Sequence, residues 1–418
     1  MSKRLKILMQ CYSCSPYSGS ERGMGWNFAL HVSRFHDVHL IVEEKDGRPV
    51  MEKYAQEHPE AFEHITLHYI RKVQHPILRK IWPPIYYHFY NKWEKKAYRL
   101  AKALDAEEHF DLVHRVTLSS YRSPGYLWKL GKPFIWGPVC GFTNTAWCLL
   151  PGLGLHGIVY FTCRNIINRL QFRWGRQAHA AAAHASAIMV SDAHALPEIK
   201  RYWGKDALLM SDGGIPEDGY HPVMSPHEPG TPLRICWSGV LTTLKALNFV
   251  LAALPLCRQK VELHILGKGE KEQEWKALAE HLGVADKVFF HGFLPHHQAQ
   301  AFLESCHVFC HSSIKEGGLA TVVLEALRAG LPLVVIDHCA HASVVTEACG
   351  IKIPVMRPQQ LSERFAAAFD KLAEDEALRH RMAESALERA RHYTWPKRME
   401  TVLALYENAV SGQREIGR

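Results

Sequence analysis

The chain has 418 residues, more than one hydrophobic core usually spans, so two domains are expected. Its apolar fraction of 47% and charged fraction of 22% are ordinary for a soluble globular protein, and no internal repeat, low-complexity tract or solenoid period interrupts them. The net charge of +8, with histidine neutral, favours anionic partners without naming one.

The 11 cysteines are odd in number and scattered; with no secretion signal beside them they are expected to be reduced and the protein cytosolic. Cys11-x-x-Cys14 has no second half at zinc spacing, and the 27 histidines form no HExxH or similar pattern. His338, Cys339 and His341 follow a strand, but nothing supports a metal there. No segment reaches the ~18 apolar residues of a membrane span. The most apolar stretch, 149–162, is broken by Pro151, Gly152, Gly154 and Gly157. An integral membrane protein is therefore not expected.

In chain order, residues 5–11 read as a strand. A loop with Gly19, Gly23 and Gly25 follows and opens a helix near Gly25, and 38–42 reads as the next strand. This is a βαβ opening with parallel pairing. Its glycines do not give G-x-G-x-x-G, so it is not the dinucleotide fingerprint, although Glu43-Glu44 weakly mimics a ribose acid.

Residues 71–102 stand out by composition. Arg71, Lys72, Arg79, Lys80, Lys92, Lys95, Lys96, Arg99 and Lys102 face one acid, Glu94. Trp82, Tyr86, Tyr87, Phe89, Tyr90 and Trp93 are interleaved. Two readings stand side by side. One is contact with an anionic membrane surface, where rings sit at headgroup depth. The other is an amphipathic helix pair with its rings in the core and its lysines in water. Nucleic-acid binding ranks lower, because no recognition module accompanies the charge.

Residues 110–116 read as a strand carrying His114. A loop, 139–155, with Gly141 and Trp147 follows another strand. An Arg-rich then Ala-rich helix is expected over 165–187. The cluster Gly213, Gly214, Pro216, Gly219 and Pro222 marks a linker. The alternation then restarts. A strand at 234–238 runs into the turn Gly239-Val240-Leu241-Thr242-Thr243-Leu244-Lys245. A strand at 261–266 runs into Gly267-Lys268-Gly269, and one at 288–290 runs into HGFLP.

Residues 308–311 lead into SSIKEGGLATVVLEALRAGLPLVVID, where Gly317 and Gly318 precede a helix over 320–329. Gly330 stops that helix, and 331–336 reads as a buried strand. Glu316 and Glu325 bracket the helix start. Open backbone amides beside carboxylates suit a nucleotide sugar, with the diphosphate on the amides and the hydroxyls on the carboxylates.

EGGLATVVLEALRAGLPLVV resembles the donor-site signature of the retaining GT-B glycosyltransferases, family 4. The resemblance covers nearly the whole chain and is strongest over 239–355. It implies two Rossmann-like domains facing across a cleft: 1–212 for the acceptor, 213–390 for the nucleotide sugar, and 391–418 as a helix returning to the first domain. It implies that Glu316 lies near the transferred sugar and that Glu325 binds the ribose hydroxyls. The family usually has seven residues between the two glutamates; here there are eight. Either the loop bulges or Gly317 takes the usual first position.

Lys245 matches the family's phosphate-binding lysine, while Val240 stands where its arginine would be; Lys315 or Arg22 are candidate substitutes. Gly19, Glu21, Gly239, Gly267, Leu294, Gly317, Gly318, Leu319, Ala320 and Thr321 are the remaining donor-site matches. His114 matches the first histidine of the family's H-x-H and is a candidate catalytic residue; Val116 occupies the second.

The implied reaction is transfer of a sugar from a nucleotide-diphosphate sugar to a glycan or lipid-linked acceptor. It proceeds with retention, without metal or other cofactor, and without nucleic acid. Bacterial lipopolysaccharide or exopolysaccharide synthesis at the inner face of the plasma membrane fits. The competing readings are a sugar-nucleotide epimerase of related fold and a non-catalytic GT-B scaffold.

Overall fold

The computed structural model describes residues 3–72, 85–217, 227–228 and 230–412. Arg79, Lys80 and Trp82 of the basic stretch, and Gly219 and Pro222 of the linker, lie outside the described residues.

The first half of the chain contains β1 (Lys6–Cys11), α1 (Ser20–Ser33), β2 (Asp37–Glu43), α2 (Glu44–Glu57), β3 (Ile65–Ile70), α3 (Ile85–Glu108), β4 (Leu112–Arg115), β5 (Phe134–Val139), α4 (Gly154–Trp174), α5 (Arg176–His184), β6 (Ala187–Val190), α6 (Ala195–Trp203) and β7 (Leu208–Leu209). The second half contains β8 (Leu233–Ser238), α7 (Leu247–Leu251), β9 (Val261–Leu266), α8 (Glu272–His281), β10 (Val288–Gly292), α9 (His296–Glu304), β11 (Val308–His311), α10 (Thr321–Arg328), β12 (Leu333–Ile336), α11 (Cys339–Val344), β13 (Gly350–Ile353), α12 (Pro358–Glu374), α13 (Glu376–Arg391) and α14 (Trp395–Ser411).

Two all-parallel sheets result, ordered β3-β2-β1-β4-β5-β6-β7 and β10-β9-β8-β11-β12-β13. The central strands β4, β11 and β12 are buried along their whole length, as a parallel sheet covered on both faces requires. This is the α/β, twice Rossmann-like architecture expected.

The chain forms two compact units. One comprises 1–142, 169–214 and 395–418; the other comprises 143–168 and 215–394. The boundaries expected at 212 and 390 therefore need one correction: 143–168 belongs with the second unit. Its physical reason is polar and apolar docking. Asn165 and Thr145 exchange two hydrogen bonds, at 3.1 and 2.7 Å, to close the segment. Lys315 donates to the Thr143 carbonyl, and His338 Nε2 donates to the Asn144 carbonyl at 2.8 Å. Leu149 enters the core of the second unit. The loop 139–155 is thus, from 143 onward, part of that unit. In the first unit, α14 supplies Trp395, Met399, Val402 and Tyr406 to the core built on β1, α1 and β2.

In the described part of the basic stretch, α3, two of the rings lie in the core. In α3, Tyr90 and Trp93 are buried, and both meet Tyr12 edge-on at 4.7 and 4.8 Å. Trp93 Nε1 donates to the Ile70 carbonyl at 3.0 Å. Lys92, Lys95, Lys96 and Arg99 are exposed. The lone acid, Glu94, is buried and paired with Arg115 at 2.9 Å, with Gln10 on its other oxygen at 2.7 Å. Rings that fill a core cannot also sit among headgroups, so the membrane reading fails for Tyr90 and Trp93.

Candidate functional site

In an open parallel sheet, the loops leaving two neighbouring strands diverge where the strand order reverses, and the gap at their carboxyl ends accepts a ligand. In the second unit that reversal lies between β8 and β11. The loop after β8 is 239–245. Its backbone locks onto the loop after β9: Gly239 N–H donates to Leu266 O, Leu241 N–H to Lys268 O, and Lys271 N–H to Leu241 O, at 2.9 to 3.1 Å. Gly267 is obligatory here. Its φ is +136°, and a Cβ would lie 1.9 Å from the Gly239 carbonyl oxygen.

The loop after β11 then docks on the loop after β8. Ser312 Oγ donates to the Lys245 carbonyl at 2.7 Å and accepts from Trp237 Nε1 at 3.0 Å. Ser313 Oγ and Ile314 N–H both donate to the Leu244 carbonyl. These contacts bring two residues 71 positions apart into an ion pair, Lys245 Nζ to Glu316 Oε1 at 2.5 Å.

Behind that pair stands a histidine couple that sequence reading missed. His311, the last residue of β11, donates from Nε2 to Glu316 Oε1 at 3.2 Å. His341 packs edge-on against His311 at 4.8 Å and donates from Nε2 to the Ile336 carbonyl at 3.0 Å. Both rings are buried, and burial holds both well toward the neutral form. For Glu316, burial alone would raise the carboxyl. The His311 hydrogen bond and the Lys245 charge outweigh it and hold the group ionised well below the usual range. The only sequence signal for His311 was its place at a strand's carboxyl end.

The glycine pair leads to α10, which spans Thr321–Arg328 rather than 320–329; Ala320 is its N-cap and no side chain caps it. Gly317 is exposed, Gly318 half-buried, and Leu319 buried in the core beneath the loop. Glu325 lies in the middle of α10, with Oε1 3.9 Å from His296 Nδ1. Burial raises its carboxyl, against the pull of His296 and Arg328. Leu294 packs on the same core, while its neighbour Phe293 is 73% exposed.

Val240 is 59% exposed, so an apolar side chain stands in water where the resemblance calls for arginine. Lys315 does not replace it: its ammonium is buried on the Thr143 carbonyl. A cation the sequence reading passed over, Lys268, is exposed and lies against Gly292. Among the described residues no cluster of three or more metal-ligating side chains occurs.

The first unit has its own reversal, between β1 and β4. There Glu21 Oε1 accepts from Ser119 N–H at 2.8 Å and Ser119 Oγ at 3.2 Å, so its carboxylate holds the loop after β4. Gly19 is exposed ahead of α1, which begins at Ser20, five residues before the expected start. Arg22 is exposed. His114 is a correction. It is wholly buried, and Nε2 donates to the Gly137 carbonyl at 2.8 Å. Nδ1 accepts from the Tyr406 hydroxyl at 2.6 Å. Burial lowers its pKa to about 4. A ring with both nitrogens bonded and no open face is a structural core histidine, so the catalytic role expected for it is withdrawn.

With this geometry in place, comparison with known proteins is informative. The sequence model of the family described as glycosyl transferases group 1 matches residues 225–389. That stretch contains Lys245, Glu316 and Glu325. The putative colanic acid biosynthesis glycosyltransferase WcaL of Escherichia coli K12 is 31% identical over 160 residues, 35% of this chain and 38% of that protein. The lipopolysaccharide glucosyltransferase WaaG of the same organism is 31% identical over 150 residues, 34% and 36% of the two chains. These matches span less than half the length of either relative. Among solved structures, the apo form of the lipopolysaccharide outer core galactosyltransferase WaaB superposes with a TM-score of 0.66 at 12% identity, covering 98% of this chain and 99% of that one. A sucrose-phosphate synthase from Thermosynechococcus elongatus gives 0.62 at 14% identity, covering 98% and 100%. The chain therefore carries a glycosyl transferases group 1 domain at 225–389 and has the fold of the GT-B glycosyltransferases.

Proposed function

We propose that this protein is a glycosyltransferase. It moves a sugar, with retention, from a nucleotide-diphosphate sugar to a glycan or lipid-linked acceptor in bacterial surface polysaccharide synthesis. The observation that carries the reading is the Lys245–Glu316–His311 cluster at the β8/β11 reversal, inside the matched family domain. The names of WcaL, WaaG and WaaB support the polysaccharide assignment. The structural neighbour HepE of Anabaena, 13 to 14% identical, is described in complex with UDP and with UDP-glucose, which puts uridine donors first in any screen.

The chemistry is loss of a diphosphate from an oxocarbenium-like sugar, so fixed positive charge at the leaving group should dominate. In this reading the Lys245 ammonium, held ready by Glu316, passes to a diphosphate oxygen, and the open amides of Ala320 and Thr321 take the other phosphate. Glu316 keeps its His311 hydrogen bond and turns its free oxygen to the sugar. Glu325 takes the ribose hydroxyls. Positive charge supplied by the chain itself leaves no step that calls for a metal, and transfer is expected to continue in EDTA.

The test is a thermal-shift screen against UDP, GDP, ADP and their sugars, with and without Mg²⁺. At a hundred times Kd a bound nucleotide stabilises by ~2.7 kcal/mol. One clear winner, unaffected by metal, supports a donor site; no response from any of them moves the assignment to a scaffold. Product analysis with donor alone then separates transfer from epimerisation, since an epimerase needs no acceptor.

A further inference from the structure

Two side chains at the carboxyl ends of β11 and β12 reach to the same short piece of backbone. Lys315, the residue before Glu316, is 5% exposed, and its ammonium donates to the Thr143 carbonyl, 172 positions away. His338, two residues past β12, donates from Nε2 to the next carbonyl, that of Asn144, at 2.8 Å and across 194 positions. All four residues belong to the second unit.

The segment that carries these carbonyls is itself fixed. Leu149 is wholly buried in the core of that unit. Gly152 leaves no room for a side chain: a Cβ would lie 2.8 Å from the Phe249 ring on α7 and 2.9 Å from Pro358 at the start of α12. Asn168 Nδ2 donates to Asn144 Oδ1 at 2.9 Å, beside the Asn165–Thr145 pair. The other side of the contact is fixed too. Cys339, next to His338, is buried with φ +61°, a left-handed conformation that a non-glycine residue enters only at a cost. Such strain persists where the surroundings over-determine the backbone, and it gathers at functional sites.

Charge separates this contact from an ordinary staple. From 112 to 191 the sequence contains no Asp and no Glu, so the segment can offer Lys315 carbonyl oxygens but no carboxylate. A neutral acceptor holds the ammonium without adding negative charge beside Glu316 or a bound diphosphate. Stability alone does not call for a lysine here, because burying an ammonium carries a desolvation penalty that an apolar side chain of similar length avoids. What the ammonium adds is direction. Lys245 and His311 share one oxygen of Glu316, and Lys315 is joined to Glu316 through a single peptide unit. A pin on Lys315 therefore limits where the free oxygen of Glu316 can turn.

We propose that segment 143–146 frames the donor site and that Lys315 and His338 are positioning residues. Through the Thr143 and Asn144 carbonyls they hold Glu316 with its free oxygen toward the transferred sugar. The inference rests on the transfer reading above, and it adds to the family domain at 225–389 a wall from outside that domain.

The experiment follows UDP release from UDP-glucose, with water as the acceptor, together with UDP affinity and Tm, on the full chain. Lys315→Met should slow turnover by roughly 100-fold, the loss that follows a misplacement of about 1 Å, with UDP affinity unchanged. His338→Phe should slow it by about 10-fold in the same way. Lys315→Arg and His338→Gln each keep a donor and should recover most of the loss. Tm separates loss of folding from loss of turnover. Wild-type turnover in both Lys315→Met and His338→Phe overturns the proposal. So does a loss matched by an equal loss of UDP affinity, or no recovery in the two donor-keeping variants. If wild type itself releases no UDP, the transfer reading is at fault, and the frame is tested on a histidine instead. The His311 Nε2–H resonance, assigned by its loss in His311→Gln, should shift in Lys315→Met; an unmoved resonance overturns the proposal.

Discussion

The two units share one device and put it to opposite uses. Each has a parallel sheet whose strand order reverses once, between β1 and β4 in the first and between β8 and β11 in the second. At the second reversal the polar groups stay partly open: Lys245 and Glu316 keep 18% and 14% of their side-chain surface. At the first most of them are consumed by the protein itself. Glu94 and Arg115 are sealed against each other and His114 is bonded at both nitrogens, while half-buried Glu21 has Oε1 engaged by Ser119. Topology therefore fixes where a site can form, and the hydrogen-bond inventory decides whether a given side chain is free to act there.

That contrast can be broken by substitution. The largest expected effect is in the first unit. Glu94→Ala strips the partner from a fully buried guanidinium and should cost about 3–5 kcal/mol of stability. A denaturation midpoint near wild type would mean that the pair is not sealed. Lys245→Ala in the second unit should lower kcat by roughly 100- to 1,000-fold, the range seen when one preorganised charge-stabilising group is lost. Its Tm should change less than that of His114→Ala, and near-normal turnover would remove the leaving-group role.

His114→Ala should behave the other way round. It opens a cavity and orphans the Tyr406 hydroxyl, costing about 2–4 kcal/mol, while kcat/KM of the folded fraction stays within a few-fold. A selective loss of kcat would return His114 to the reaction.

The same residue sets a pH dependence. Its pKa is lowered from 6.5 to about 4 by burial. Between those values the unfolded chain binds a proton that the folded chain refuses, so stability falls as pH falls through this window. From His114 alone the loss at pH 5 is about 2 kcal/mol, measured as the change in unfolding free energy between pH 7 and pH 5. The variant should show a flatter slope. The smallest effect concerns the exposed Val240. Val240→Arg restores a cation beside the diphosphate and should tighten nucleotide binding by roughly 5-fold, about 1 kcal/mol, read by titration. Weaker binding would mean that another group, with Lys268 the nearest candidate, already fills that place.

The pattern of legibility follows the same physics. The parallel α/β alternation was readable, because buried strands are apolar runs and the turns between them carry glycine. The turn after β9 and the helix stop after the Glu316 loop were readable because Gly267 and Gly330 mark conformations that few other residues adopt; Gly330 has φ +69° at the end of α10. His311 and His341 were not readable. A single histidine at a strand end looks the same in sequence whether it is buried behind Glu316 or satisfied elsewhere, as His114 is.

The helices α3 and α4 make the point in reverse. Composition drew attention to α3, whose Tyr90 and Trp93 turned out to fill the core. It read only the later part of α4 as helix, because Gly154 and Gly157 looked like breaks in an apolar run, yet α4 is the helix with the bare face. Amphipathic spacing says which residues share a side of a helix; it does not say which side the rest of the protein covers.

By itself, then, the sequence determined the strand alternation, the glycine turns, the acid-free span from 112 to 191 and the identity of the loop that holds Glu316. These depend on local backbone preference and on counting. Only the tertiary structure decided that 143–168 packs into the second unit, that Lys245 reaches Glu316, that His114 is sealed and that α4 is bare. Each of these is a contact, or the lack of one, between residues far apart in the chain, and burial sets both the charge state and the availability of the groups involved.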